Sequence, residues 1–253
     1  MRTITFAKRN IKELSRDVLG YIFCIAFPIV MLIIMSVVNE SIPAEAHMTT
    51  FRIDNLSGGI ILFGQTFVML FTAILVSTDK NTSFLTRLFS SPMKGSDFTM
   101  GYILPMIAIE IVQTIVTFFA SVCIAGITGN TLKLPGLLLA IVTTLPSGIM
   151  FISIGLIFGT LLNEKSAPGI CSVIVSVATF LGGVFFDAEG VGGAIQKVCK
   201  CLPFLYCTRV GRASVNLNFG TDSFLIPILV TSTAAILFTA LAIFVFNKKM
   251  KCD

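Results

Sequence analysis

Six long apolar runs alternate with polar segments along the 253 residues. They cover residues 20–38, 56–77, 100–127, 135–162, 167–186 and 223–246. A helix rises about 1.5 Å per residue, so about 20 residues cross a hydrocarbon core roughly 30 Å thick, and each run predicts one membrane-spanning helix. Ahead of the first run, Ile4, Ala7, Ile11, Leu14 and Val18 recur at spacings of three and four. Lys8, Arg9, Lys12, Glu13 and Arg16 lie off that stripe. This pattern predicts an amphipathic helix over residues 1–18 lying in the headgroup plane. A basic start, an apolar run and Ala44-Glu45-Ala46 also resemble a secretory signal. The run is longer than the roughly 7–15 residues of a signal core, however, and further runs follow, so it is read as a retained span.

The polar island over residues 78–99 carries an apolar patch of its own. Thr82 or Ser83 suits a helix N-cap. Phe84 pairs with Leu88 and Leu85 with Phe89 at i, i+4, and Arg87 stands beside them. Pro92 disfavours helix at Ser91, which sets the end of a short helix over residues 83–91. Two readings of this helix stand on the residues alone: a knob that inserts into a soluble partner, or a helix resting on the membrane surface.

Composition agrees with the pattern. The chain is 55% hydrophobic and 12% charged, against about 25% charged in soluble domains. The net charge of +5 does not point to nucleic acid, because the basic residues flank apolar runs rather than form one face. Arg2, Lys8, Arg9, Lys12, Arg16, Lys80, Arg87, Lys94, Lys165, Lys248, Lys249 and Lys251 fall on one side of the six-span topology. Arg52, Lys133, Lys197, Lys200, Arg209 and Arg212 fall on the other. The positive-inside bias then predicts that both termini and the 78–99 segment are cytoplasmic, with residues 187–222 as a long external loop.

A few residues break the apolar pattern. Glu110 is the single acid inside a run, with Gln113 on a nearby face. An intramembrane acid costs at least about 2.5 kcal/mol, so it faces protein or water. It serves either as a proton, cation or cationic-substrate site, or as a protonated or hydrogen-bonded structural residue. Phe63, Phe67 and Phe71 form a stripe that suits lipid contact, core packing or a transport path. Of seven cysteines, Cys24, Cys123 and Cys171 sit in apolar runs. Cys199, Cys201 and Cys207 cluster in the long loop, as free thiols or with Cys207 bonded to one of the others. A zinc site wants four ligands, and the one histidine, His47, is remote, so no metal site and no Ser/His/Asp catalysis are expected.

Several stretches together resemble the permease subunit of a type-2 ABC exporter. These are the basic amphipathic start, Thr86-Arg87-Leu88-Phe89-Ser90-Ser91-Pro92, and Met100-Gly101-Tyr102 with Pro105. Leu181-Gly182-Gly183-Val184-Phe185-Phe186 and Cys201-Leu202-Pro203-Phe204-Leu205-Tyr206 complete the set. Asp79-Lys80-Asn81 and Thr82-Ser83 depart from the family's acidic and Gly-Thr pattern. The resemblance implies an all-α membrane protein with six transmembrane helices, an interfacial N-terminal helix, a cytoplasmic coupling helix, and short re-entrant helices in the external loop. It implies an exporter of an amphiphilic drug, peptide or lipid-like substrate in a bacterial plasma membrane, in the manner of multidrug exporters. ATP and Mg would be bound and hydrolysed by a separate ATPase subunit, since this chain lacks G-x-x-x-x-G-K-[ST] and is not expected to be an enzyme. Residues 83–91 with Pro92, Arg9 and Lys12 would meet that subunit. A second permease copy, identical or not, would enclose a path lined by Phe63, Phe67, Phe71, Val175, Thr179 and Gly182. The competing classes are an ATPase-independent transporter or channel, and a non-transporting immunity or sensor component.

Overall fold

The computed structural model describes residues 2–42, 49–81, 95–186 and 192–252. The predicted coupling residues Ser83, Phe84, Leu85, Arg87, Leu88, Phe89, Ser90, Ser91 and Pro92 lie outside the described residues. Among those described, the chain is all helix. α1 (Arg2–Leu14) precedes a short α2 (Val18–Tyr21), a π-helical turn (Ile22–Ala26) and α3 (Phe27–Ser41). α4 (Ile53–Asn81) and α5 (Gly95–Ile127) follow. Then come α6 (Leu134–Thr143), α7 (Leu145–Leu161), α8 (Ala167–Leu181), α9 (Gly193–Cys201) and α10 (Pro203–Asn216). A second π turn (Thr221–Leu225) leads into α11 (Ile226–Cys252).

Among the described residues, five segments are long and apolar enough to cross a membrane: Ile22–Ser41, Ile53–Lys80, Gly95–Ile127, Leu134–Leu161 and Thr221–Lys249. The fifth apolar run differs from its expected extent. Its helix α8 has 15 residues, about 22 Å of rise. It stops because Gly183 adopts a positive φ of 67°, a left-handed conformation that closes a helix and costs glycine nothing. The fourth run is two helices rather than one. Pro146 has no N–H to continue the ladder, and the chain breaks at Thr144 before α7 resumes. The polar segment over 187–222 holds two helices, α9 and α10, among its described residues.

α4 is the central helix. It touches α3, α5, α7, α8 and α10 and is buried along most of its length. Such close packing needs small residues, because lipid tails offer helices no hydrophobic reason to associate. On α7, Gly155 and Gly159 lie four apart and press against the backbone of α4 at Met69 and Ala73. On α10, Gly211 meets α4 at Gly58: a Cβ on Gly211 would stand 2.6 Å from the Gly58 carbonyl oxygen, and one on Gly58 would stand 2.5 Å from the Arg212 nitrogen. The periphery is correspondingly apolar. Val30, Ile33 and Val37 of α3 and Leu229, Ile236 and Phe244 of α11 are exposed, as lipid-facing residues are.

The two ends of the chain meet at one end of the bundle. The start of α5 receives both: Phe98 lies edge-on to Phe6 of α1 at 6.0 Å and stacked on Phe246 of α11 at 6.4 Å.

Candidate functional site

α1 does not bury the predicted stripe as a whole. Ala7 and Leu14 turn inward, whereas Ile4, Ile11 and Val18 are exposed. The docked face is Phe6, Ala7, Asn10 and Leu14, because the surface it meets is protein, α5 foremost. Gly101 of α5 leaves the space into which the Phe6 ring fits, with Tyr102 edge-on at 5.0 Å. Asn10, fully buried, donates from Nδ2 to the Gly101 carbonyl at 3.1 Å.

Beside Asn10, Arg9 reaches the C-terminal turn of α4. Its Nη2 donates to Asp79 Oδ1 at 2.9 Å and its Nη1 to Asp79 Oδ2 at 3.2 Å. Tyr102 donates its hydroxyl to Asp79 Oδ2 at 2.7 Å. One buried carboxylate thus gathers α1, α4 and α5. Glu13, one turn along α1, approaches Arg9 Nη2 at 2.9 Å. Glu13 stays partly open to water, and its partial burial is the largest influence on the carboxyl and pushes it up; the negative Asp79 adds to this, and Arg9 opposes without prevailing. For Arg9, burial acts to lower the value, but the hydrogen bond and charge of Asp79, with Glu13, outweigh it and hold the guanidinium charged. Lys80, next to Asp79, donates to the Thr160 carbonyl at 3.1 Å and so ties α4 to the end of α7. Lys12 is exposed beside this cluster. The cluster therefore fixes α1 across the two helix ends that bracket residues 82–94.

A second polar group lies in the middle of the bundle. Glu110 is fully buried, and its partner is Gln65 of α4 rather than Gln113: Gln65 Nε2 donates to Glu110 Oε1 at 2.9 Å and to the Thr144 carbonyl at 3.1 Å. Ser147 Oγ donates to Gln65 Oε1 at 2.8 Å. The carbonyl exposed at the α6–α7 break is thus satisfied from α4. Gln113, also buried, donates to Thr117 Oγ1 at 3.2 Å.

The aromatic stripe packs inside the chain. Phe63, Phe67 and Phe71 are all at most 8% exposed. They face Phe27 and Phe23 of the first span, with Phe27–Phe67 at 5.3 Å and Phe23–Phe71 at 6.2 Å, and Phe63 also meets Phe185 at 5.5 Å. Val175 and Thr179 of α8 and Gly182 just past its end turn inward as well, and Gly182 faces Leu62 of α4. The three rings pack as a seam along α4, and Val175 shares their core.

At the end of the bundle opposite α1, Arg212 donates from Nη2 to the Gly183 carbonyl at 2.9 Å and the Val184 carbonyl at 3.3 Å. Its Nε donates to the Asn55 carbonyl at 3.2 Å. This side chain fills the gap opened by the Gly183 turn and lines a polar cleft of about 500 Å³ with Arg209, Asn55, Asn216 and Asp222. Cys199, Cys201 and Cys207 carry free thiols. Cys199 packs with Leu205, and Cys207 joins the main core, where burial pushes its thiol well up. The sequence pattern does not single out Asp79, Tyr102, Gln65 or Arg212 as functional candidates. Gln65 is within its reach: it is a lone amide inside an apolar run, as Glu110 is a lone acid.

A helical bundle with a buried central helix, long apolar segments and an amphipathic helix docked on the ends of α4 and α5 has the architecture of an integral membrane protein. The chain belongs to the ABC-2 type transporter family, whose profile matches residues 1–216. No individually curated relative matches it.

Proposed function

We propose that this chain is the permease subunit of an ATP-driven exporter. It works as a dimer of permeases with a separate ATPase that binds ATP and Mg, and it moves an amphiphilic substrate across a bacterial plasma membrane by alternating access. The observation that carries this reading is the Asp79 cluster. A soluble motor that pushes on residues 83–91 delivers its displacement to the ends of α4 and α5, and Arg9, Asp79 and Tyr102 bind those two ends and α1 into one lever. Lys80 extends the lever to α7. α4 runs from this cluster to the Arg212 latch at the opposite end, so a tilt of α4 at one end strains the latch at the other.

The topology that suits this role has six spans, with the short α8 as the fifth of them. Two facts support an even number: the chain ends meet on Phe98, and the Lys and Arg excess lies on the side of the Asp79 cluster. That side is then cytoplasmic, and the cleft at Arg212 opens outward. The test is copurification from membranes with an ABC ATPase co-expressed from the same source. Wild type retains the ATPase in fixed stoichiometry. Phe84→Asp and Leu88→Asp lose it while the permease still folds. Nucleotide-independent transport by the purified chain alone would reject the reading.

A further inference from the structure

Two acceptor atoms of the mid-bundle cluster have no donor among the described residues. Gln65 uses both amide protons, on Glu110 Oε1 and the Thr144 carbonyl. Ser147 spends its hydroxyl proton on Gln65 Oε1 and the Thr144 carbonyl. Gln113 gives a proton to Thr117. Glu110 Oε2 and Gln113 Oε1 remain without a partner among the described residues, and both side chains are at least 99% buried. A carboxylate can only accept, and an amide oxygen can only accept, so what completes them must be positive or must donate. Leaving such groups bare in an apolar interior is costly.

The two side chains are three apart on α5, on adjacent parts of one face. Each lies in a place the bundle keeps free of a Cβ: the Glu110 carboxyl rests against Gly148 of α7, and the Gln113 amide against Gly64 of α4. The buried hydroxyls of Thr114 and Thr117 stand on the same helix. We propose that Glu110 and Gln113 form a binding site for one small monovalent cation, a sodium ion or a proton. One carboxylate balances one positive charge, and a divalent ion would leave a net charge in the apolar core. The completely buried setting excludes an organic ammonium. Among the described residues, no charged side chain acts on Glu110. The groups that meet it are Gln65 from α4 and Gly148 from α7, neither of them titratable. The site therefore responds to its own cation and not to a neighbour's ionisation.

This inference is independent of the ATPase, and its test needs only the purified full chain in nanodiscs. Thermal unfolding is followed as choline is replaced by sodium at fixed ionic strength and pH, and then across a pH series in choline alone. A ligand held by the native state alone raises Tm with its concentration. A rise of several degrees in sodium, absent in Glu110→Gln, identifies the ion as sodium. A Tm that ignores sodium but falls as pH rises, with the fall absent in Glu110→Gln, identifies it as a proton. Gln113→Met keeps the carboxylate, removes one oxygen and weakens whichever response is present, and this variant carries the test if Glu110→Gln does not fold. If the wild type and the variants respond alike to both sodium and pH, the proposal is overturned.

Discussion

Arg9 and Asp79 are 70 residues apart in the chain and joined by two hydrogen bonds, of 2.9 and 3.2 Å. The pair is unequally solvated: the Asp79 side chain is 3% exposed and that of Arg9 35%. Removing the exposed partner therefore takes the guanidinium charge away from a buried carboxylate, which keeps the Tyr102 hydroxyl. A fully buried pair broken from one side loses about 3–5 kcal/mol. Arg9 keeps some contact with water, so Arg9→Met is expected to cost roughly 2 kcal/mol, a fall in Tm of about 4–8 °C. The double variant Arg9→Met with Asp79→Asn removes both charges and recovers part of that loss, because Tyr102 can still donate to the amide oxygen that takes the place of the carboxylate. Thermal unfolding of the two single variants and the double variant measures this coupling. Additive losses would show that the pair does not lock α1.

Glu13 should set a pH dependence of that lock. Its carboxyl is raised by burial first and by Asp79 second, above the ordinary value of 4.5. A group raised on folding contributes stability that is complete below its unfolded value and is lost as pH rises through the folded one. Stability of the α1 docking is therefore expected to decline from about pH 4.5 upward, and Glu13→Gln should flatten that decline. Amide exchange at α1 across this range reads it directly. An unchanged pH profile in Glu13→Gln would refute the assignment.

The glycines divide into two classes that a single substitution separates. Gly155 presses on the Met69 carbonyl of α4, whereas Gly169 on α8 has open space around its absent Cβ. Gly155→Ala must part α7 from α4 and is expected to cost about 1–3 kcal/mol, with Gly155→Leu failing to fold. Gly169→Ala adds helix propensity and meets nothing, so it should stabilise by about 0.5–1 kcal/mol. Tm values of opposite sign for these two alanines are the expected result.

How far the sequence discloses this architecture depends on the range of the force involved. Run length and hydropathy locate the five long spans, because the cost of lipid-exposed backbone dictates their extent. The ends are less legible. α5 begins at Gly95 rather than residue 100, since Gly95-Ser96-Asp97 is polar yet makes the first turn. Hydropathy carries the fifth run to residue 186, although Gly182-Gly183 stands in it as a stop. Cross-helix partners are the least visible. Nothing local to Arg9 names Asp79. The Gly155-x-x-x-Gly159 spacing is a signal for close helix approach, but it does not say which helix approaches. Glu110 is marked as exceptional by its cost alone, and only the fold shows that Gln65 supplies its partner. The segment over 83–91 that the pattern predicts to meet a partner lies outside the described residues.

The Phe seam offers the clearest separation between a packing role and a path role. Phe67 is 8% exposed and touches Phe23, Phe27 and Phe63 at ring distances of 6.2, 5.3 and 5.0 Å. A residue so enclosed is held by contacts within its own chain, and its truncation leaves a cavity that neighbouring rings fill only in part. Phe67→Ala is expected to cost about 3–5 kcal/mol, and Phe67→Leu less, because most of the volume is retained. If the seam only packs α3 against α4, the order of Tm values will follow the volume removed, and the substrate range of the folded variants will not change. If the seam opens during transport, Phe67→Leu will alter which substrates are exported at a Tm close to that of the wild type. The volume-ordered loss with an unaltered substrate range is the expected outcome. It follows from the position of Phe23 and Phe27, whose rings cover the stripe from the first span.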